Sequence, residues 1–268
     1  LYHGAALTRA LALVMVAMAA APGFSPALGT LMAAWFGWRS VFVLVALAAA
    51  LVALHYRVSV GETLPPARRR PAHPFATVGA YAALVTDARF IAPALAVSLV
   101  IGCLYGFFGA APSILMTGMG VTAAGLSAFF AGSVFVVFAS GLLASRLAPR
   151  FGAAKVGMTG ILMALASGLW LVMLGGTPEP APFMAAVTLF LAGMGLVNPI
   201  GTAIALEPFG DRAGVASALL GFLQMACAAV ATGLIGALSL SPAGAFAWIT
   251  AGSAALAAAA FAIVLRSA

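Results

Sequence analysis

Two amides stand deep in apolar sequence: Asn198 in LVNPIG and Gln224 in GFLQMA. A primary amide in hydrocarbon must find a hydrogen-bond partner. Each therefore bonds a neighbouring helix, or lines a cavity where a bound molecule serves instead. Tyr105, Phe107 and Phe108 share one apolar run with Pro112. They either offer an aromatic wall to a lipophilic molecule or pack as ordinary apolar rings. Tyr105, Phe108, Asn198 and Gln224 are the candidate substrate-cavity residues. Nothing in the chain is spaced for making or breaking bonds. There is no Ser/His/Asp set, phosphate loop or HExxH, so an enzyme is not expected, nor a cofactor. His3, His55 and His73 are scattered without zinc-ligand spacing, and Cys103 and Cys227 read as small packing residues, so no metal is expected. The five acids, Glu62, Asp87, Glu179, Glu207 and Asp211, all fall at the ends of apolar runs or between them. A proton-coupled carrier needs an ionisable group inside the membrane. Either coupling uses groups elsewhere, or the protein is not proton-driven.

The elements that hold these residues are set by hydropathy. The chain is 65% hydrophobic and 6% charged, and its mean hydropathy is +1.19. Apolar runs of about 20 residues match the thickness of a bilayer core. Eight such runs are expected to be membrane helices: Ala10–Ala34, Arg39–Tyr56, Phe90–Met116, Ala124–Ser145, Val156–Gly175, Pro182–Leu206, Gly214–Leu238 and Gly244–Leu265. They are continuous rather than alternating, which excludes a barrel. The fold class is therefore an all-α polytopic membrane bundle with the bilayer as its partner.

The net charge of +7 does not signal nucleic acid. Its cations sit in alternate gaps: Arg57, Arg68, Arg69, Arg70 and Arg89 in one, Arg146, Arg150 and Lys155 in another. Gaps 117–123, 177–181 and 239–243 hold none. The positive-inside rule puts the charged gaps, Arg9 and Arg266 in the cytoplasm, hence both ends of the chain. Arg39 is the exception. Trp35, Trp38, Trp170 and Trp248 fall near the outer interface, where amphipathic rings settle.

The longest polar segment separates two spans from six, giving 1–56, a cytoplasmic central loop at 57–89, and a six-helix half at 90–268. Transporters are commonly built from two six-helix halves. The two leading spans read as the tail of another half, with four spans upstream of Leu1. Pro22, Pro26, Pro112 and Pro199 lie inside spans, where they bend a helix for packing or for gating. Gly102 and Gly106 have the spacing of close helix packing.

Three stretches resemble the major facilitator superfamily, and within it the Bcr/CflA group of drug-resistance transporters. APGFSPALGTLMAAWFGWR at Ala21–Arg39 is similar to the fifth-helix antiporter motif of drug/proton antiporters. Pro26 and Gly29 match its core, while Ser25 and Thr30 replace two glycines. Glu62-Thr63-Leu64 resembles the opening of the group's central loop. EPFGDRAGVASALLGFLQ at Glu207–Gln224 resembles the entry to the eleventh helix, with Gly214, Ala216 and Ser217 matching. GLLASRLAPRFGAAK at Gly141–Lys155 looks like a degenerate copy of the superfamily's cytoplasmic loop motif. It keeps Gly141, Arg146, Arg150 and Gly152 but has Ser145 in place of an Asp.

The resemblance implies helices five to twelve of a secondary transporter in a bacterial cytoplasmic (inner) membrane. It would act as a monomer, exporting small lipophilic or amphiphilic drugs or metabolites against inward protons by alternating access. Pro22, Pro26 and Gly29 would then set the gating bend. The alternative is a truncated, non-transporting partner subunit or relic.

Overall fold

In a computed structural model, residues 25, 28–60, 74–176 and 178–267 are described. They divide into two units, Leu1–Thr77 and Val78–Ala268.

In the first unit residues 28–36 form helix α1, and α2 runs Arg39–His55 before a π-helical turn at Tyr56–Val60. The Gly-Trp-Arg of the antiporter-like stretch is the corner between them. Gly37 takes φ +79°, and the Ser40 hydroxyl donates to its carbonyl at 2.6 Å. The Arg39 guanidinium lies 4.6 Å from the centre of the Trp38 ring. This contact explains how a lone cation is held at the end where the charge pattern has no other. Pro22 and Pro26, and most of the span Ala10–Ala34, lie outside the described residues.

α3, Pro74–Thr86, begins in the first unit and ends in the second, where α4 (Ala88–Ala111) and a π-helical turn at Pro112–Gly118 follow. Then follow α5 (Ala123–Phe151), α6 (Ala153–Leu174), α7 (Pro180–Leu206), a 3-10 turn at Glu207–Arg212, α8 (Ala213–Ala237) and α9 (Pro242–Ser267). Among the described residues seven helices are long and apolar enough to cross a membrane, Arg39–Ser59 being the first. They coincide with seven of the eight expected spans. The polar connector is partly helical: α3 has 13 residues, too short to cross at 1.5 Å per residue.

The expected gap 146–155 is also helical. Hydropathy falls at Ser145, but the backbone ladder of α5 continues to Phe151, and Gly152 alone joins α5 to α6. Its φ of +90° with ψ 134° is a conformation for glycine. Gly152→Ala should strain the corner by about 1–3 kcal/mol, lowering the unfolding midpoint, although no atom stands within 4 Å to clash.

Asp87 starts α4. Its carboxylate accepts from the Arg89 backbone N–H at 2.9 Å and pairs with the Arg89 guanidinium at 2.9 Å. These bonds from Arg89 hold the Asp87 carboxyl below its ordinary range. The folded pKa is lowered, so the contribution is present above the unfolded pKa and lost as pH falls through the folded one. Hydrogen exchange at the first turn of α4 should therefore quicken below the ordinary carboxylate range. Asp87→Ala should show the fast exchange at neutral pH.

Backbone contacts at glycine set the helix packing. A Cβ on Gly160 (α6) would lie 2.5 Å from the carbonyl oxygen of Gly193 (α7), and Gly193 meets the Gly160 carbonyl reciprocally. A Cβ on Gly168 (α6) would lie only 2.6 Å from the backbone of Ala251 (α9). Gly102 meets the backbone of Cys227, and one turn on Gly106 meets Ala231, so the Gly-x-x-x-Gly spacing is the α4–α8 seam. Small residues let the backbones approach where lipid supplies no hydrophobic drive. The Ser167 hydroxyl adds a 2.6 Å bond to the Ala186 carbonyl across α6 and α7. At one end of the bundle the buried Phe209 ring packs edge-on to Phe90 at 5.8 Å, anchoring the 3-10 turn. That turn and the start of α8 are the Glu207–Gln224 stretch.

Candidate functional site

The same contacts fix the depth of every polar residue in the bundle. Gly102 faces Cys227 and Gly106 faces Ala231, so α4 and α8 run parallel and Gln224 stands level with Leu99. Gly201 of antiparallel α7 meets the Val97 side chain at 3.2 Å, so Asn198 stands level with Val100. Ser98 lies one residue before Leu99 on α4. These three residues thus fall within about 3 Å of depth at 1.5 Å per residue, near the middle of the span Ala88–Gly118.

They also share a side. On α4, Val97 faces α7 and Gly102 faces α8. Ser98, about 100° on from Val97 and 40° from Gly102, points between those two contacts. Asn198 is three residues from Gly201, which touches α4, and three from Gly195, whose Cβ would be 2.7 Å from Ser140 of α5. It therefore points into the angle between α4 and α5. Gln224 is on the flank of α8 beside its α4 seam. This face of α4 is buried at Ser98 and becomes exposed only two turns above it, at Tyr105, which is 43% exposed.

The state of these groups separates two expectations. Ser98 is fully buried and its hydroxyl has no partner. Asn198 and Gln224 are half-buried, and among the described residues no hydrogen bond reaches either side-chain amide. Interhelical bonding within the six-helix unit is not where their polarity is spent. Sequence reading missed Ser98, because a serine in an apolar helix is unremarkable until its register places it beside two unpaired amides.

About 9 Å above this belt stands the aromatic wall. Tyr105 packs edge-on to Phe108 with centroids 6.4 Å apart, and Phe108 to Phe130 of α5 at 5.4 Å. Phe107, fully buried, links these rings to the core: it packs against Phe108 at 6.3 Å, Phe130 at 6.0 Å and Phe246 of α9 at 5.4 Å. Tyr105, Phe107 and Phe108 thus belong to one ring cluster, exposed at Tyr105 and buried at Phe107.

Other expected residues have other places. Gly141, inside the expected span Ala124–Ser145, lies within α5 against the Gly195 carbonyl, which Pro199 leaves without its helical N–H. Arg146 and Arg150 are exposed, one turn apart near the end of α5, and Gly152 is the corner after them. Gly29 has no atom within 4 Å of a built Cβ among the described residues. A groove of about 180 Å³ lies between α8 and α9, lined by Leu99, Cys227, Val230, Ile249 and Ser253. It is on the opposite flank of the α4–α8 seam from Gln224. Positions 89, 146, 150, 155 and 212 are all at one end of the six helices, while Trp170 and Trp248 are towards the other.

The sequence model of the Major Facilitator Superfamily matches residues 1–232. The "Uncharacterized MFS-type transporter YdgK" of Bacillus subtilis is 25% identical, over 93% of this chain and 63% of its own length. The "Bicyclomycin resistance protein homolog" of Haemophilus influenzae is 21% identical, over 88% of this chain and 60% of its own. "Multidrug resistance protein D" of Escherichia coli is 26% identical, over 89% and 59%. The chain thus spans about three fifths of the length of these relatives.

Proposed function

As this chain belongs to the Major Facilitator Superfamily, a family of membrane transport proteins and not of enzymes, we propose that it is the later part of a drug or small-metabolite exporter. On this reading Arg39 onward supplies helices six to twelve, and residues before it the fifth, as the two-plus-six layout implies. The observation that carries it is the belt of unpartnered polar groups on one face of α4, at mid-depth, beneath a partly exposed aromatic wall. Secondary transporters hold cargo near the bilayer midplane, and a pocket for a lipophilic molecule needs few polar groups on apolar walls. The names of two relatives, which concern resistance to bicyclomycin and to multiple drugs, favour export.

Inward protons drive the cycle in this reading, by alternating access. The acids of this chain fall at span ends or in its polar segments, so the coupling carboxylate belongs to helices upstream. The arginine end of the six helices faces the cytoplasm of a bacterial inner membrane, as does the C-terminal end of the chain. The test is drug tolerance of an efflux-deficient bacterium carrying the native-length gene product, with and without a proton uncoupler. Tolerance that rises and collapses with the uncoupler is the expected result. Unchanged tolerance across a broad drug panel would overturn the reading.

A further inference from the structure

The cations at the α5–α6 corner are unmatched by acids. Arg146, Arg150 and Lys155 fall within ten residues, and no Asp or Glu stands between Asp87 and Glu179. All three are exposed, and among the described residues no carboxylate pairs with any of them. Arg150 stands two residues before Gly152 and Lys155 three after it, so the corner carries both on adjoining helix ends. Like charges gathered in this way repel one another. Arg89, at the same end of the six helices, shows the contrast, since Asp87 meets its charge at 2.9 Å. The positive-inside rule accounts for the end at which the three cations lie, and not for their lack of an acid neighbour.

A second, independent observation is an apolar lane that starts at the same corner. Phe151, at the corner itself, is 62% exposed. From Lys155 the exposed residues of α6 recur every three or four positions, at Thr159, Leu162, Ala166, Leu169 and Met173. That spacing puts them on one face of the helix, opposite the face that packs through Gly160 on α7 and through Gly168 on α9. Beyond Thr159 the lane is wholly apolar, and Met173 at its far end is 85% exposed. A soluble anion would use the cations alone. A molecule with a phosphate head and an acyl chain uses both the cations and the lane.

We propose that the α5–α6 corner is a docking site for an anionic phospholipid of the adjoining leaflet. Arg150 and Lys155 hold its phosphate, with Arg146 one turn away, through charge-assisted hydrogen bonds, and an acyl chain lies along Leu162 and Leu169. The inference needs only that these helices cross a membrane, so it stands apart from the export reading.

The test uses the purified native-length protein in a neutral detergent, with bound lipid followed by native mass spectrometry. The probes are dioleoyl phosphatidylglycerol (anionic), dioleoyl phosphatidylethanolamine (net neutral) and glycerol phosphate (an anionic head without chains). Arg150→Gln, Lys155→Gln and the double variant are compared with the parent and with Arg57→Gln, which removes an exposed cation from the other unit. The expected result is that the first phosphatidylglycerol binds more tightly than phosphatidylethanolamine and weakens about fivefold for each cation removed at the corner. Arg57→Gln should bind it like the parent, and glycerol phosphate should not displace it. Equal binding of the two lipids would overturn the inference, as would a double variant that binds phosphatidylglycerol like the parent, or an equal loss in Arg57→Gln. Displacement by glycerol phosphate would also overturn it, by giving the cations a soluble anion instead. If the double variant fails to accumulate, the two single variants decide by the same comparison.

Discussion

Gly193→Val should abolish accumulation of the folded protein in the membrane, whereas Gly233→Val should leave it near the parent level. Gly193 and Gly160 meet backbone to backbone, and a Cβ at the partner position would already lie 2.5 Å from a carbonyl oxygen. A side chain end can rotate away, but two packed helices must separate. Valine adds two further methyls, so the cost should exceed the about 1–3 kcal/mol of ordinary overpacking. Separating α6 from α7 would also break the Ser167 bond to Ala186 and shift Gly195 against α5. Gly233 has open space around it. Fluorescence-detected size exclusion of tagged variants reads both. Equal profiles for the two would mean that the Gly160–Gly193 contact does not set the α6–α7 spacing.

The second large effect separates the polar face of the bundle from its lipid face. Leu256 lies in the middle of α9 and is 63% exposed, about 140° from Ala251, which packs on Gly168. Lysine there should cost about 3 kcal/mol of insertion, roughly a hundredfold. Gln224 is at a similar depth in α8, but beside Asn198 on the belt. Gln224→Lys should insert within about twofold of the parent, since water and two polar neighbours can receive the ammonium, and should lose efflux. Membrane abundance and transport measured on both variants check this. A Gln224→Lys protein as poorly inserted as Leu256→Lys would place Gln224 against lipid and remove it from the belt.

Much of the architecture was legible because a bilayer writes its thickness into sequence. Seven of the eight expected spans match helices, and the cations gather at one end of the six-helix unit as their spacing requires. Hydropathy reports the apolar slab and not the hydrogen-bond ladder. It therefore stops α5 at Ser145, whereas the ladder runs to Phe151, and it leaves the helix Pro74–Thr86 unmarked. Asn198 and Gln224 stood out by chemistry alone. Their common depth did not, because it depends on which glycines form seams. With 30 glycines in the chain, only Gly102 and Gly106 carried a spacing that pointed to one. Ser98 became visible only once Val97 and Gly102 had been assigned to their neighbours. Gly141 lies within its expected span, but its neighbour in space, the Gly195 carbonyl freed by Pro199, carried no mark in the sequence.

The central claim is that one face of α4, with Asn198 and Gln224 at its flanks, opens to a polar, cargo-accessible space within the membrane. Cysteine labelling tests it most directly. With Cys103 and Cys227 replaced by alanine in the native-length protein, Asn198→Cys, Gln224→Cys and Leu256→Cys are each exposed to a hydrophilic maleimide. The account predicts labelling at 198 and 224, slowed by an exported drug, and none at 256, where lipid excludes the reagent. Labelling at 256 with none at 198 or 224 would contradict it.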